Sequence, residues 1–228
     1  MTTTFAKAQD AAANHLTVLN KGRCGQNSGI LRDKFADDVL NVQPKPDYVL
    51  IYIGMNDVIN DKFFTPLDKY VENMTWMIEA ARKAGIKPVI CTIHHIIEEE
   101  DYKVTPREKF GAETPNSKMD RYNAALQQLA AEQKVPLADF RAATANVATS
   151  DILSDGCHLT LAGNKLLAKT FFDAIQPPIR GDETIVCVGD SLTYGFKNNG
   201  AGSADGETYP AMLKKLLEQA KPASIKEP

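Results

Sequence analysis

The sequence predicts an α/β fold in three layers, a central sheet between two layers of helices. Two observations predict it. Short runs of β-branched and apolar residues alternate with longer segments of helical periodicity along the chain, and no repeat or low-complexity tract interrupts them. The composition agrees: 228 residues, 43% hydrophobic and 24% charged, suffice to bury the core of one α/β domain, and the whole of 1–228 is read as that domain.

The elements follow in order. A first strand is expected near Leu16–Asn20, ending in the loop Cys24-Gly25-Gln26-Asn27-Ser28, with a helix near 29–39. Tyr48-Val49-Leu50-Ile51-Tyr52-Ile53 reads as the second strand and stops at Gly54-Met55-Asn56-Asp57. A helix over 66–83, a strand over 88–93, a helix over 117–133 and a short strand over 136–139 continue the alternation. Asp155-Gly156-Cys157-His158 is expected to open a helix running through Leu161, Leu166, Leu167, Phe171 and Phe172 to Ile175. Pro177 to Glu183 reads as a polar link. The last strand, Thr184-Ile185-Val186-Cys187-Val188, is bounded by Gly189 and followed by an amphipathic helix over 209–219; residues 221–228 read as a frayed tail.

Chemistry gathers at the carboxyl ends of these strands, where open α/β sheets hold their ligands. Gly189-Asp190-Ser191-Leu192 puts a serine at the end of the last strand, Asp155 and His158 bring an acid and an imidazole, and Asn56 brings a side-chain amide. Each alone has a plain reading. Gly-Asp-Ser can be a turn, Asp155 a helix cap beside a surface histidine, and Asn56-Asp57 ordinary turn formers. Together they supply what acyl transfer through a serine requires. The motif differs from the nucleophile elbow of α/β-hydrolases, because Thr193 stands where that pattern has glycine.

The four segments resemble the four blocks of the SGNH, or GDSL, hydrolase family, and the likeness covers nearly the whole chain. The resemblance implies that Ser191 is the nucleophile, His158 the base and Asp155 its orienting acid. It implies an oxyanion hole made of the Ser191 and Gly25 backbone N–H groups and the Asn56 amide; Gly22 and Gly29 lie close to Gly25 in sequence. It also implies a flavodoxin-like five-stranded parallel sheet in the spatial order 1-5-2-3-4, with Ser191 at the switch point. Members of the family usually begin with the Ser block, which comes last here. The chain therefore reads as a circular permutant, with 177–183 joining ends that are otherwise termini.

The resemblance implies carboxylic ester hydrolysis without metal or organic cofactor. Among its substrates, O-acetyl groups on carbohydrate are favoured, because no long apolar lid or membrane-seeking helix is present to receive a fatty tail. An acyltransferase, a thioesterase or a lysophospholipase could use the same site. A non-catalytic domain cradling a sugar or an anion is the alternative from another class, although Gly22, Gly25 and Gly29 match no phosphate-loop spacing. Asp190 is expected to shape the turn by hydrogen bonding and, with His94 and Tyr194, to border the substrate; His94 and His95 also have a purely structural reading. The long segment from His94 to Asn116 is expected to wall the alcohol side, and Lys197 to Glu207 is a second candidate wall whose glycines suggest mobility.

The formal net charge of −3, without a basic cluster, argues against nucleic acid as a partner. No apolar run reaches the length of a membrane span, and Met1 to Asn14 is too polar for a signal peptide, so no membrane partner and a cytoplasmic default are expected. Oligomeric state is not encoded in any feature of the sequence. Cys24, Cys91, Cys157 and Cys187 show neither metal spacing nor the density of a disulfide scaffold, and read as small packing residues; a Cys24–Cys157 disulfide has no support in the sequence.

Overall fold

The computed structural model describes residues 15–175 and 179–220. The expected tail, part of the expected link and the Met1 to Asn14 segment lie outside the described residues.

Five parallel strands, β1 (Thr17–Asn20), β2 (Tyr48–Tyr52), β3 (Lys87–Cys91), β4 (Leu137–Ala138) and β5 (Thr184–Gly189), form one sheet in the order β1-β5-β2-β3-β4. The last strand in sequence is thus internal. Its residues 185–188 are fully buried, which accounts for their unbroken apolar run, since a strand covered on both faces shows no polar alternation. Burying each such side chain is worth about 1.5–3 kcal/mol. Tyr52 pairs with Gly189 and Asn20 with Cys187, so the carboxyl ends of β1, β5 and β2 lie side by side.

One helical layer comprises α1 (Ser28–Phe35), α3 (Leu67–Lys83) and α5 (Pro115–Gln133). The other comprises α8 (Leu161–Ile175) and α10 (Tyr209–Gln219), packed on each other. Helical spacing explains the fit: α3 buries Tyr70, Met74, Met77, Ile78 and Ala81, a stripe of one face. The start of α5 is fixed by Pro115 in its first turn and a reciprocal cap between Thr114 and Ser117. After α1 the chain widens over Ala36–Leu40 into a π-turn, where a plain helix is expected from the sequence.

Short helices fill the connections: α2 (Met55–Ile59), α4 (Glu98–Asp101), α6 (Phe140–Ala143), α7 (Thr149–Ile152) and α9 (Ser191–Tyr194). One expectation needs correction here. Asp155 to His158 do not open a helix; they form a tight loop between α7 and α8, closed by a bridge between Leu153 and Leu159 and by Ser154 N–H donating to the His158 carbonyl at 2.8 Å. Gly156 adopts φ +86° within it.

Candidate active site

Three loops at the carboxyl edge of the sheet are stitched together through main-chain carbonyls. Gln26 Nε2 donates to Gly189 O at 2.6 Å, Arg23 N–H donates to the same carbonyl at 3.0 Å, and Asn56 Nδ2 donates to Gln26 O at 3.0 Å. Gly189 is required by this crowding, because a Cβ there would stand 2.1 Å from Tyr52 O. Beneath the loops, buried Asp57 accepts from the Ser28 backbone N–H and, at 2.6 Å, from Ser28 Oγ. Burial pushes the Asp57 carboxyl up to about 6.

Ser191 begins α9. Asp190 caps that turn, its Oδ1 accepting from Leu192 N–H at 2.9 Å while its Oδ2 lies 3.4 Å from Asn56 Nδ2. Burial, helped by the nearby Asp57 charge, raises the Asp190 carboxyl to about 7. The Asp155 loop approaches from the other side: His158 Nε2 lies 3.0 Å from Ser191 Oγ, and His158 Nδ1 lies 2.9 Å from Asp155 Oδ2. Asp155 also accepts from the His158 backbone N–H at 2.8 Å and from Lys197 Nζ at 2.7 Å. Burial works to raise the pKa of this carboxyl, but the Lys197 ammonium and the His158 donors outweigh it and hold Asp155 well below the usual carboxylate range. An imidazole between a serine hydroxyl and an ionised carboxylate can take up the hydroxyl proton during nucleophilic attack.

A cleft of about 770 Å³ opens over this pair of contacts. Ser191, His158, Asp155, Gly25 and Asn56 all line it. Gly22 and Gly29 do not: Gly22 is packed against the Tyr194 backbone and Gly29 against Asn27 and Asn73, so Gly25 is the glycine of this loop that reaches the cleft. The segment after His94 contributes Glu100, Asp101, Lys103, Val104 and Thr105, and Thr105 Oγ1 latches it to α2 by donating to Ile59 O at 2.9 Å.

His94, Asp190 and Tyr194 do not line the cleft, contrary to the expectation that they border substrate. His94 is fully buried between the Tyr52 hydroxyl at 2.5 Å and the Cys157 carbonyl at 3.0 Å, and its burial lowers the imidazole to about 4. It braces the loop that carries His158 from behind. Asp190 is used up in the turn, and Tyr194 packs on Gly202, whose N–H donates to its carbonyl at 2.6 Å. The glycine-containing stretch from Lys197 to Glu207 does not wall the cleft either; Phe196, just before it, does, with its ring 4.7 Å from that of His158. Phe196 and Lys197 escape sequence reading because their partners lie about forty residues away and follow no local spacing.

Cys24 and Cys157 line the cleft as free thiols, while Cys91 and Cys187 are free in the core. Among the described residues no three His, Cys, Asp or Glu side chains are grouped to hold a metal ion, and no helix is long and apolar enough to cross a membrane.

Comparison with known proteins places this chain in a family. The GDSL-like lipase/acylhydrolase family matches residues 3–166, which includes Asp155 and His158 and ends before β5 and Ser191. The uncharacterized lipoprotein YqeF of Bacillus subtilis (strain 168) is 30% identical over 73% of this chain and 74% of its own. That relative overturns the cytoplasmic default, because a lipoprotein is held at a membrane. The fold is shared with a GDSL-like lipase of Bacteroides thetaiotaomicron, 24% identical over 66% of this chain and 71% of that one, with a TM-score of 0.56. It is also shared with an acetylxylan esterase of Geobacillus stearothermophilus, 24% identical over 67% and 69%, with a TM-score of 0.53. The chain belongs to the GDSL-like lipase/acylhydrolase family and is a carboxylic ester hydrolase.

Proposed function

We propose that the protein is a serine esterase that removes short acyl groups, foremost O-acetyl groups on carbohydrate, through Ser191, His158 and Asp155. The observation that supports this most is the unbroken path from Ser191 Oγ to His158 Nε2 at 3.0 Å and from His158 Nδ1 to Asp155 at 2.9 Å. In this reading His158 removes the hydroxyl proton as Ser191 attacks the ester carbonyl, and Asp155 fixes the ring and stabilises the imidazolium. The oxyanion is met by the backbone N–H groups of Ser191 and Gly25 and by the Asn56 amide, each donor being worth about 3 kcal/mol of barrier. His158 then protonates the leaving alcohol, and water releases the acid from the acyl-enzyme by the same steps.

Short acyl groups and a sugar alcohol suit the cleft. Its lining combines Asn60, Asp61, Lys62, Glu100, Asp101 and Lys103, which offer donors and acceptors to a polyhydroxylated leaving group, with Met55, Ile59, Val104 and Phe196, which can cover a small acyl group. The fold shared with an acetylxylan esterase points the same way. We further propose one domain whose order is circularly permuted, because the family match stops short of β5, and β5 nonetheless lies inside the sheet. The lipoprotein relative supports a place at a membrane surface.

Hydrolysis of p-nitrophenyl acetate, butyrate and octanoate, and of an acetylated xylo-oligosaccharide, by the protein and by Ser191→Ala tests the reading. Activity should be highest on acetyl esters and vanish in the variant. Equal activity of the two proteins refutes the role of Ser191, and a preference for octanoate refutes the short-acyl assignment.

A further inference from the structure

The segment just after the serine turn holds the acid and base from outside that turn. Three consecutive residues each reach the Asp155 loop by a different contact: the Phe196 ring lies 4.7 Å from the His158 ring, Lys197 Nζ donates to Asp155 Oδ2 at 2.7 Å, and Asn198 Nδ2 donates to Leu159 O at 3.0 Å. Between Phe196 and Ser191 the chain is short and tied, with Gly195 and Phe196 N–H groups both donating to the Ser191 carbonyl at 3.0 Å. Lys197 takes φ +66°, a left-handed conformation that a side chain with a Cβ rarely adopts. Backbone of this kind persists where surrounding contacts over-determine it.

We propose that residues 196–198 form an alignment clamp in which Lys197 is the positioning residue, setting the Asp155 carboxylate and, through it, the His158 ring against Ser191. The inference rests on the proposed roles of those three residues. Asp155 Oδ2 is shared between His158 Nδ1 and Lys197 Nζ, so the ammonium and the ring hold the same carboxylate oxygen. It also balances part of the carboxylate charge that faces the imidazole. The other charged or titratable groups around this loop include His94, whose Nε2 meets the Cys157 carbonyl, Cys157 itself, Asp101 and Asp190, whose charges reach Cys157, and Glu100, which packs on Gly156 and pairs with Lys103. Among the described residues, Lys197 is the lysine or arginine that bonds Asp155.

The test compares Lys197→Asn and Lys197→Arg with the unaltered protein on p-nitrophenyl acetate across pH, alongside thermal unfolding. Asparagine tolerates the left-handed conformation but cannot reach Asp155, so Lys197→Asn should keep or raise the unfolding midpoint while kcat falls about ten- to a hundredfold and KM stays nearly constant. Its acidic limb of kcat/KM should move to higher pH, because removal of the ammonium leaves the carboxylate free to favour the imidazolium. Lys197→Arg should restore most of kcat and the position of the limb. A Lys197→Asn protein with kcat within about twofold and an unmoved limb overturns the clamp. So does a kcat loss that follows the unfolding midpoint. The proposed triad itself is judged separately, by whether Ser191→Ala retains activity.

Discussion

Asn56→Ala is the substitution whose effect follows most directly from the geometry. The amide carries two N–H bonds. One is committed to the Gln26 carbonyl at 3.0 Å, and the other faces Asp190 Oδ2 across 3.4 Å, a long contact. An oxyanion at about 2.7–3.1 Å offers the second N–H a better partner, and one that exists only as the reaction proceeds. Removing the donor should therefore cost about 2.7–4 kcal/mol of transition-state stabilisation, a fall of about 10² to 10³ in kcat with KM nearly unchanged. The fold should lose the bond to Gln26 and the one Asn56 Oδ1 accepts from Asn60 Nδ2 at 3.2 Å, about 2 kcal/mol together, or several degrees in the unfolding midpoint. Steady-state kinetics on p-nitrophenyl acetate together with thermal unfolding separate the two. Asn56→Asp keeps the shape but sets a carboxylate beside Asp190, whose own carboxyl already sits near 7, and should be at least as slow. A kcat within about threefold of the unaltered protein, with an intact fold, would remove Asn56 from the oxyanion site.

Three further outcomes are expected. Asp155→Asn should lower kcat by about 10⁴-fold on the same ester, because the ring loses its orienting charge; a loss under about tenfold speaks against the assignment. Gly189→Ala should destabilise the fold by about 3 kcal/mol or more, since its methyl would meet Tyr52 O at 2.1 Å and Thr193 Oγ1 at 2.2 Å; an unchanged unfolding midpoint contradicts the packing at the serine turn. His94 carries a pH signature. Its folded pKa of about 4 lies below its ordinary 6.5, so its neutral form contributes stability that is complete above pH 6.5 and lost as pH falls toward 4, by up to about 3 kcal/mol. Asp57 and Asp190 work in the opposite sense, their raised carboxyls weakening the fold as pH climbs from about 4 to their folded values. The difference between the protein and His94→Phe isolates the histidine: unfolding free energy measured from pH 4 to 8 should fall less steeply on acidification in the variant, and parallel curves would deny the effect.

What the sequence made legible is what neighbouring residues encode. The apolar run before Gly189 declared a strand covered on both faces, and helical stripes such as that of α3 announced their burial. The short helices α2, α4, α6, α7 and α9 stayed hidden because four or five residues hardly exceed one turn and show no period. Gly25, Asn56, Asp155, His158 and Ser191 were nameable because each sits in a recognisable block, and the structure gathers all five on one cleft. Asp190 shapes the serine turn and His94 is structural, as their plain readings expect, while their expected place beside the substrate fails for the same reason that makes the blocks readable. Nearness to a strand end in sequence does not say which way a side chain turns, and both turn inward, one to brace the Cys157 carbonyl and the other to cap α9. The contacts that assemble the site were out of reach altogether. Gln26 grips the Gly189 carbonyl across 163 positions and Lys197 grips Asp155 across 42. A main-chain carbonyl leaves no mark in the sequence of its partner, so motifs can name the reacting groups while the bonds that set their distances emerge only from the folded chain. Blocks that lie far apart in the chain need only reach the same sheet edge, and long-range bonds of this kind set the distances between them.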